Sequence, residues 1–308
     1  MKHFINIKDV PYKTLRKILS DTKKRKDLRK KLKTLEIDKD NPLKGILLIQ
    51  MFEKSSLRTR LSFYLAIRQL GGSALTLRPD ELHLSKGGES LSDTAKILST
   101  YGDIFVLRTD NEKKLNSFKK FLSIPLINGL SPNSHPAQIL SDIFTIEEIT
   151  KKNISRLNIC WIGDSNNVLN SLIEASIKFS FKLNIGCPKN YNPPSEMQRM
   201  ISQKSSKIKI FNNPKVAIKN ADVVLTDKVI SMNDKVNKKK KIKDFLNFKI
   251  NSKLMSLSNK AILLHCLPRG SEITDEVFYG KKSKVWQQAL NRVHVQKSIL
   301  LYCLNKLR

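Results

Sequence analysis

The chain has 308 residues, room for two domains of about 150 residues, and 40% of it is hydrophobic, enough to bury a core in each. No apolar run approaches the roughly 18 residues of a membrane span, Met1–Val10 has no signal-peptide character, and Cys160, Cys187, Cys266 and Cys303 show neither a C-x-x-C pair nor a zinc spacing with the five histidines. A reduced, cytoplasmic protein with no metal and no membrane partner is therefore expected, and its formal charge of +30, from 57 basic and 27 acidic residues, raises the question of a polyanionic partner.

In chain order, the lysine-rich run Lys23–Lys33 reads as helical. Leu28, Leu32 and Leu35 recur at helical spacing, which puts the lysines on a solvated face. Gly45–Met51 is a short apolar run of the kind buried parallel strands show. A helix over Thr59–Leu70 stops at Gly71-Gly72. Ser73–Leu77, Ile104–Leu107 and Pro125–Asn128 read as strands, with helices over Ser92–Tyr101 and Lys113–Leu122 between them. Pro136–Thr150 reads as a helix joining two halves. The second half opens with the strand Leu157–Ile162, the turn Gly163-Asp164-Ser165 and a helix over Val168–Phe179. Lys182–Gly186, Ile208–Phe211, Asp222–Thr226 and Ala261–His265 are further strands, and a long helix runs from about Gln287 to Arg308.

This alternation predicts an α/β chain: two doubly wound parallel-sheet domains facing a cleft, joined by interdomain helices. The first domain takes residues 1–135 with 287–308, the second takes 150–286, and 136–149 form the connecting helix. A second lysine run, Lys235–Lys243, reads as a mobile surface loop entering a helix. Neither run carries an aromatic ladder, an RNP motif or zinc-finger spacing, so nucleic acid is not the expected partner. The positive charge is expected to attract an anionic substrate instead.

The sharpest local feature is Phe52-Glu53-Lys54-Ser55-Ser56-Leu57-Arg58-Thr59-Arg60, which follows a strand and opens a helix. A helix start offers backbone N–H groups and a positive dipole end. Ser56 and Thr59 add hydroxyl donors, and Arg58 adds a fork suited to phosphate oxygens. The plainer alternative is a capped helix with surface arginines. Arg108 closes the strand Ile104–Leu107. His135 and Gln138, three apart at a helix start, can face one side and donate to a carbonyl oxygen, although a lone histidine there can also be a cap or packing residue. In the second half, Trp161–Val168 is a strand, turn and helix start. Asp227 follows a strand and could bind an ammonium group or cap a turn. Cys266, in His265-Cys266-Leu267-Pro268, could be no more than a small core residue.

Together these segments resemble the aspartate and ornithine carbamoyltransferase family. Phe52–Arg60 is similar to its F-x-K-x-S-x-R-T-R motif and His135–Gln138 to its H-P-x-Q motif. Trp161–Asn167, Asp227–Met232 and His265–Pro268 resemble the W-x-G-D-x-N-N, D-x-x-x-S-M-G and H-C-L-P motifs of the ornithine branch. The resemblance covers essentially the whole chain. It implies that Ser56, Leu57 (through its N–H), Arg58 and Thr59 hold the phosphate of carbamoyl phosphate, while Arg108, His135, Gln138 and Arg292 polarise the carbamoyl group. It also implies that Asn167, Asp227, Ser231 and the backbone of Met232 hold L-ornithine. Cys266 and Leu267 would lie where the substrates meet, and Asp227 and Cys266 are the groups suited to orient the attacking amine or take its proton.

The activity implied is carbamoyl transfer to the δ-amine of ornithine, giving citrulline, in arginine biosynthesis. No cofactor is implied, and the family builds homotrimers. The sequence departs from the pattern at Leu57 (a hydroxyl residue in the motif), Val229 (commonly tryptophan) and Asn233 (glycine). Those changes keep open a sister carbamoyltransferase that uses putrescine or an N-acylornithine.

Overall fold

The computed structural model describes residues 1–78, 88–230, 237–258 and 260–307. Two compact units emerge. The first comprises Met1–Leu140 with Leu290–Arg308, and the second comprises Ser141–Ala289.

The first unit holds a four-stranded parallel sheet made of β1 (Leu47–Phe52), β2 (Ser73–Leu77), β3 (Ile104–Arg108) and β4 (Leu126–Leu130), in the order β2-β1-β3-β4. Its helices are α1 (Tyr12–Leu28), α2 (Leu57–Gln69), α3 (Leu91–Tyr101) and α4 (Glu112–Phe121), with the first residues of α5 (Pro136–Thr150). The central strands are apolar because both faces are covered; Ile104–Leu107 are all fully buried. In α2, Thr59, Ser62, Phe63, Ala66 and Ile67 are buried. That spacing, close to 3.6 residues, makes one inward stripe. The helix ends at Gly71, whose φ of +90° suits glycine.

The second unit holds a five-stranded parallel sheet: β5 (Asn158–Ile162), β6 (Lys182–Gly186), β7 (Ile208–Phe211), β8 (Val223–Thr226) and β9 (Ile262–His265), in the order β7-β6-β5-β8-β9. Around it lie α6 (Asn167–Phe179), α7 (Ser195–Lys204), α8 (Pro214–Ala217), α9 (Lys238–Asp244), α10 (Ser252–Met255) and α11 (Asp275–Phe278). The last helix, α12 (Val285–Cys303), begins in this unit and ends in the first, so the division falls inside both α5 and α12. Among the described residues, no helix is long and apolar enough to cross a membrane.

In each sheet the strand order reverses once: after β2 the chain returns to the far side of β1, and after β7 to the far side of β5. Open parallel sheets gather ligands outside the carboxyl ends of the strands at such a reversal. The polar clusters described below stand at these two places.

One expectation fails. The run Lys23–Lys33 is not one helix with an inward leucine stripe. α1 stops at Leu28, and Leu28 and Leu35 are exposed. Two arginines turn inward in their place. Arg25 pairs with Asp21, Asp38 and Asp40. Arg29 pairs with Asp38 at 2.7 Å and donates to the carbonyls of Lys33 and Glu36. Buried carboxylates, not leucines, set the inward face here.

Candidate active site

In the first unit, β1 and β3 are neighbours in register, with Phe52 opposite Arg108. Both strands end beside the start of α2. Ser56 is the residue before that helix, but its hydroxyl does not cap it. Instead Ser56 Oγ accepts a 2.8 Å hydrogen bond from Arg108 Nη1. Leu57, Arg58 and Thr59 form the first turn, where helix N–H groups point outward and favour an anion. The Leu57 side chain is exposed. Glu53, which follows β1, accepts from Thr109 and Lys114 and so ties the ends of β1 and β3 together.

His135 is held from below. Asn128, fully buried on β4, donates to the Ile5 carbonyl at 3.1 Å and to Ser134 Oγ at 2.8 Å, which fixes the turn before α5. His135 and Gln138 are both buried. Burial first, then the charges of Arg292, Arg108 and Arg58, drive the imidazole pKa well below its ordinary value. His135 is therefore neutral at physiological pH and donates through one nitrogen only. Arg292, buried on α12, donates to the Gln138 amide oxygen and, at 2.7 Å, to Thr59 Oγ1. That contact fixes the Gln138 amide with its NH2 as the donor end. All seven residues read from this half, Ser56 to Thr59, Arg108, His135 and Gln138, thus meet with Arg292 in one cationic cluster.

In the second unit, β5 turns at Gly163-Asp164-Ser165 into α6. Gly163 has a φ of +150°, and a Cβ there would stand 3.2 Å from Thr226 Oγ1. Asn166 caps α6 through its side-chain oxygen, which accepts from Val168 and Leu169 N–H. Its amide NH2 donates to Asp227 Oδ2 at 2.9 Å. This bond spans β5 and β8, at the sheet reversal. Asp227 keeps some exposed surface, but its carboxyl group is desolvated, which raises its pKa; a hydrogen bond from Asn166 and the nearby His265 oppose that only in part.

β9 ends beside β8, with Thr226 opposite His265. The Cys266 N–H donates to the Thr226 carbonyl at 3.3 Å. The Leu267 N–H donates to His265 Nδ1 at 2.8 Å, and His265 Nε2 lies 2.9 Å from Glu272 Oε1. Burial works against the Glu272 carboxylate, but hydrogen bonds from His265 and the Gly270 N–H outweigh it and hold its pKa below the ordinary value. Leu267 adopts a φ of +58°, a region side-chain-bearing residues seldom occupy. Among the described residues no three His, Cys, Asp or Glu side chains converge as metal ligands would.

Residues 2–148 match the family described as aspartate/ornithine carbamoyltransferase, carbamoyl-P binding domain, and residues 155–303 match its Asp/Orn binding domain. The chain belongs to the aspartate/ornithine carbamoyltransferase family. An ornithine carbamoyltransferase from Rhizorhabdus wittichii is 37% identical, covering 99% of this chain and 99% of its own. Another from Rhodopseudomonas palustris is 40% identical, covering 98% and 96%. Among solved structures, ornithine carbamoyltransferase from Pyrococcus furiosus superimposes with a TM-score of 0.90 at 34% identity, covering 97% of this chain and 96% of that one. The anabolic enzyme from Campylobacter jejuni gives 0.88 at 36%, covering 99% and 100%.

As a member of this carbamoyltransferase family the chain is an enzyme of carbamoyl transfer. Of the residues read for the second half, Asn167, Asp227, Cys266 and Leu267 stand at the ends of β5, β8 and β9. Ser231 and Met232, and the departure at Asn233, lie outside the described residues. Val229 is buried in the core of the second unit with Phe245 and Phe248. Sequence reading passed over Asn166, the residue that contacts Asp227. The available signal was its place as the asparagine before a helix, where a cap is preferred. It also assigned no role to the His265–Glu272 pair.

Proposed function

We propose that this enzyme is an ornithine carbamoyltransferase, moving the carbamoyl group of carbamoyl phosphate to the δ-amine of L-ornithine to give L-citrulline and phosphate. The observation that carries this reading is the contrast between the clusters. One gathers arginines, a neutral imidazole and a helix start; the other centres on a carboxylate. The first suits a phosphorylated donor and the second an ammonium-bearing acceptor.

Arg58, Ser56, Thr59 and the Leu57 N–H hold the phosphate, and their positive field stabilises it as it departs. Arg108, His135, Gln138 and Arg292 draw electron density from the carbamoyl oxygen. A neutral His135 fits this role, because it donates a hydrogen bond without adding a further charge. Asn167, Asp227, Ser231 and the Met232 backbone hold ornithine. The attacking amine must lose its proton, and a desolvated, positive surrounding lowers an amine pKa. Asp227 and Cys266 orient it or accept that proton, with Leu267 beside them. Holding donor and acceptor in line accounts for much of the rate. We further assign the enzyme to arginine biosynthesis, to the cytoplasm and to a homotrimer, on the family resemblance.

Two variants test the reading by calorimetry and citrulline assay. Asp227→Ala should bind carbamoyl phosphate within about twofold of wild type yet make almost no citrulline, whereas Arg58→Ala should lose the donor, with activity down about a hundredfold or more. Donor binding lost in Asp227→Ala, or retained in Arg58→Ala, contradicts the division of roles.

A further inference from the structure

The run Lys235–Lys243 belongs to neither cluster, yet one of its residues does not behave as a surface charge. Lys238, Lys239, Lys240 and Lys243 are exposed, whereas Lys241 is 3% exposed. Its ammonium lies 2.7 Å from Asp164 Oδ2 and 5.7 Å above the ring of Tyr191. The Tyr191 hydroxyl in turn donates to Asp244 of the same short helix at 3.0 Å. Burying such a pair carries a desolvation cost that a solvated lysine avoids.

Asp164 sits in the turn that supports the acceptor cluster. Its carbonyl accepts the Asn166 N–H at 3.2 Å and the Trp161 indole N–H at 3.1 Å. Asn166 then reaches Asp227. One turn thus holds both Asp227, through Asn166, and Lys241, through Asp164.

We propose that Lys241 is a positioning residue for the acceptor: through Asp164 it locks the turn at residues 163–166 that presents Asp227. This rests on the acceptor reading given above.

The test compares Lys241→Met with the double variant Asp164→Asn/Lys241→Met, measuring the KM of each substrate and kcat. The single variant removes the positive charge beside a buried carboxylate and can lose stability on that account alone; the double variant removes both charges. A purely structural pair changes the amount of active enzyme and not the KM of one substrate. We expect the folded double variant to show an ornithine KM raised about tenfold, as coupled neighbours commonly give, with the carbamoyl phosphate KM within about twofold of wild type. A wild-type ornithine KM in that variant overturns the proposal, as does an equal rise for both substrates. Wild-type enzyme that makes no citrulline overturns the acceptor reading itself and the proposal with it, so the two failures are told apart in the first assay.

Discussion

Three arginines, Arg58, Arg108 and Arg292, bear on the imidazole of His135, and their charges together with its burial keep it neutral. The folded pKa lies below the unfolded one, so the unfolded chain takes up the proton first. The stability His135 contributes is complete above about pH 6.5 and is lost as pH falls below that toward the folded value. His135→Gln should therefore flatten the acid limb of a plot of Tm against pH, measured by calorimetry; an unchanged limb would mean the imidazole is not held neutral. Asp227 is shifted the other way. Its raised pKa means that it protonates at a higher pH than an ordinary aspartate and then ceases to attract an ammonium group. The ornithine KM should climb as pH falls by more than protonation of the amine alone would cause, and in Asp227→Asn the KM should be high, with only the dependence due to the amine left.

At the scale of elements, the inner strands were readable because parallel strands buried on both faces appear as short apolar runs, as β3 and β8 do; the edge strands β2 and β7 are far less buried and show that signal weakly. Motif residues at strand ends were readable because a strand end followed by a helix start is a site by geometry. What resisted reading was the direction of charged side chains. Lys241 looks like its neighbours in sequence, and only its three-dimensional partner Asp164 distinguishes it. Arg25 and Arg29 were hidden in the same way, since their carboxylate partners Asp38 and Asp40 lie outside the helix. Asn166 and Asn167 are adjacent and chemically identical, and the start of α6 decides which one caps the helix and which one belongs to its first turn. The turn before them gives a sharp test. Gly163→Ala forces a side chain into a backbone conformation with φ +150°, at a cost of about 1–3 kcal/mol. It should lower Tm and raise the ornithine KM severalfold while leaving carbamoyl phosphate affinity unchanged; equal losses for both substrates would show that the turn does not act on the acceptor alone.

For the whole molecule, a charge of +30 is large for 308 residues, and its field acts on every anion that approaches. Carbamoyl phosphate is an anion, and steering by such a field commonly raises association tenfold or more. Between about 0.01 M and 1 M salt the Debye length shrinks from about 30 Å to about 3 Å, so kcat/KM for carbamoyl phosphate should fall steeply over that range. A flat salt dependence would mean that the basic surface has no part in donor capture. The family, the two α/β units and the two polar clusters all converge on one chemistry, and its least constrained component is the amine. Val229 and Asn233 are the places where the acceptor motif departs from the ornithine branch. The decisive measurement is therefore kcat/KM for L-ornithine, putrescine, N-acetylornithine and L-aspartate, each with saturating carbamoyl phosphate. Ornithine should exceed every other amine by at least about a hundredfold, in keeping with a site that hydrogen-bonds the groups its competitors lack; putrescine or N-acetylornithine turning over faster than ornithine would contradict the assignment.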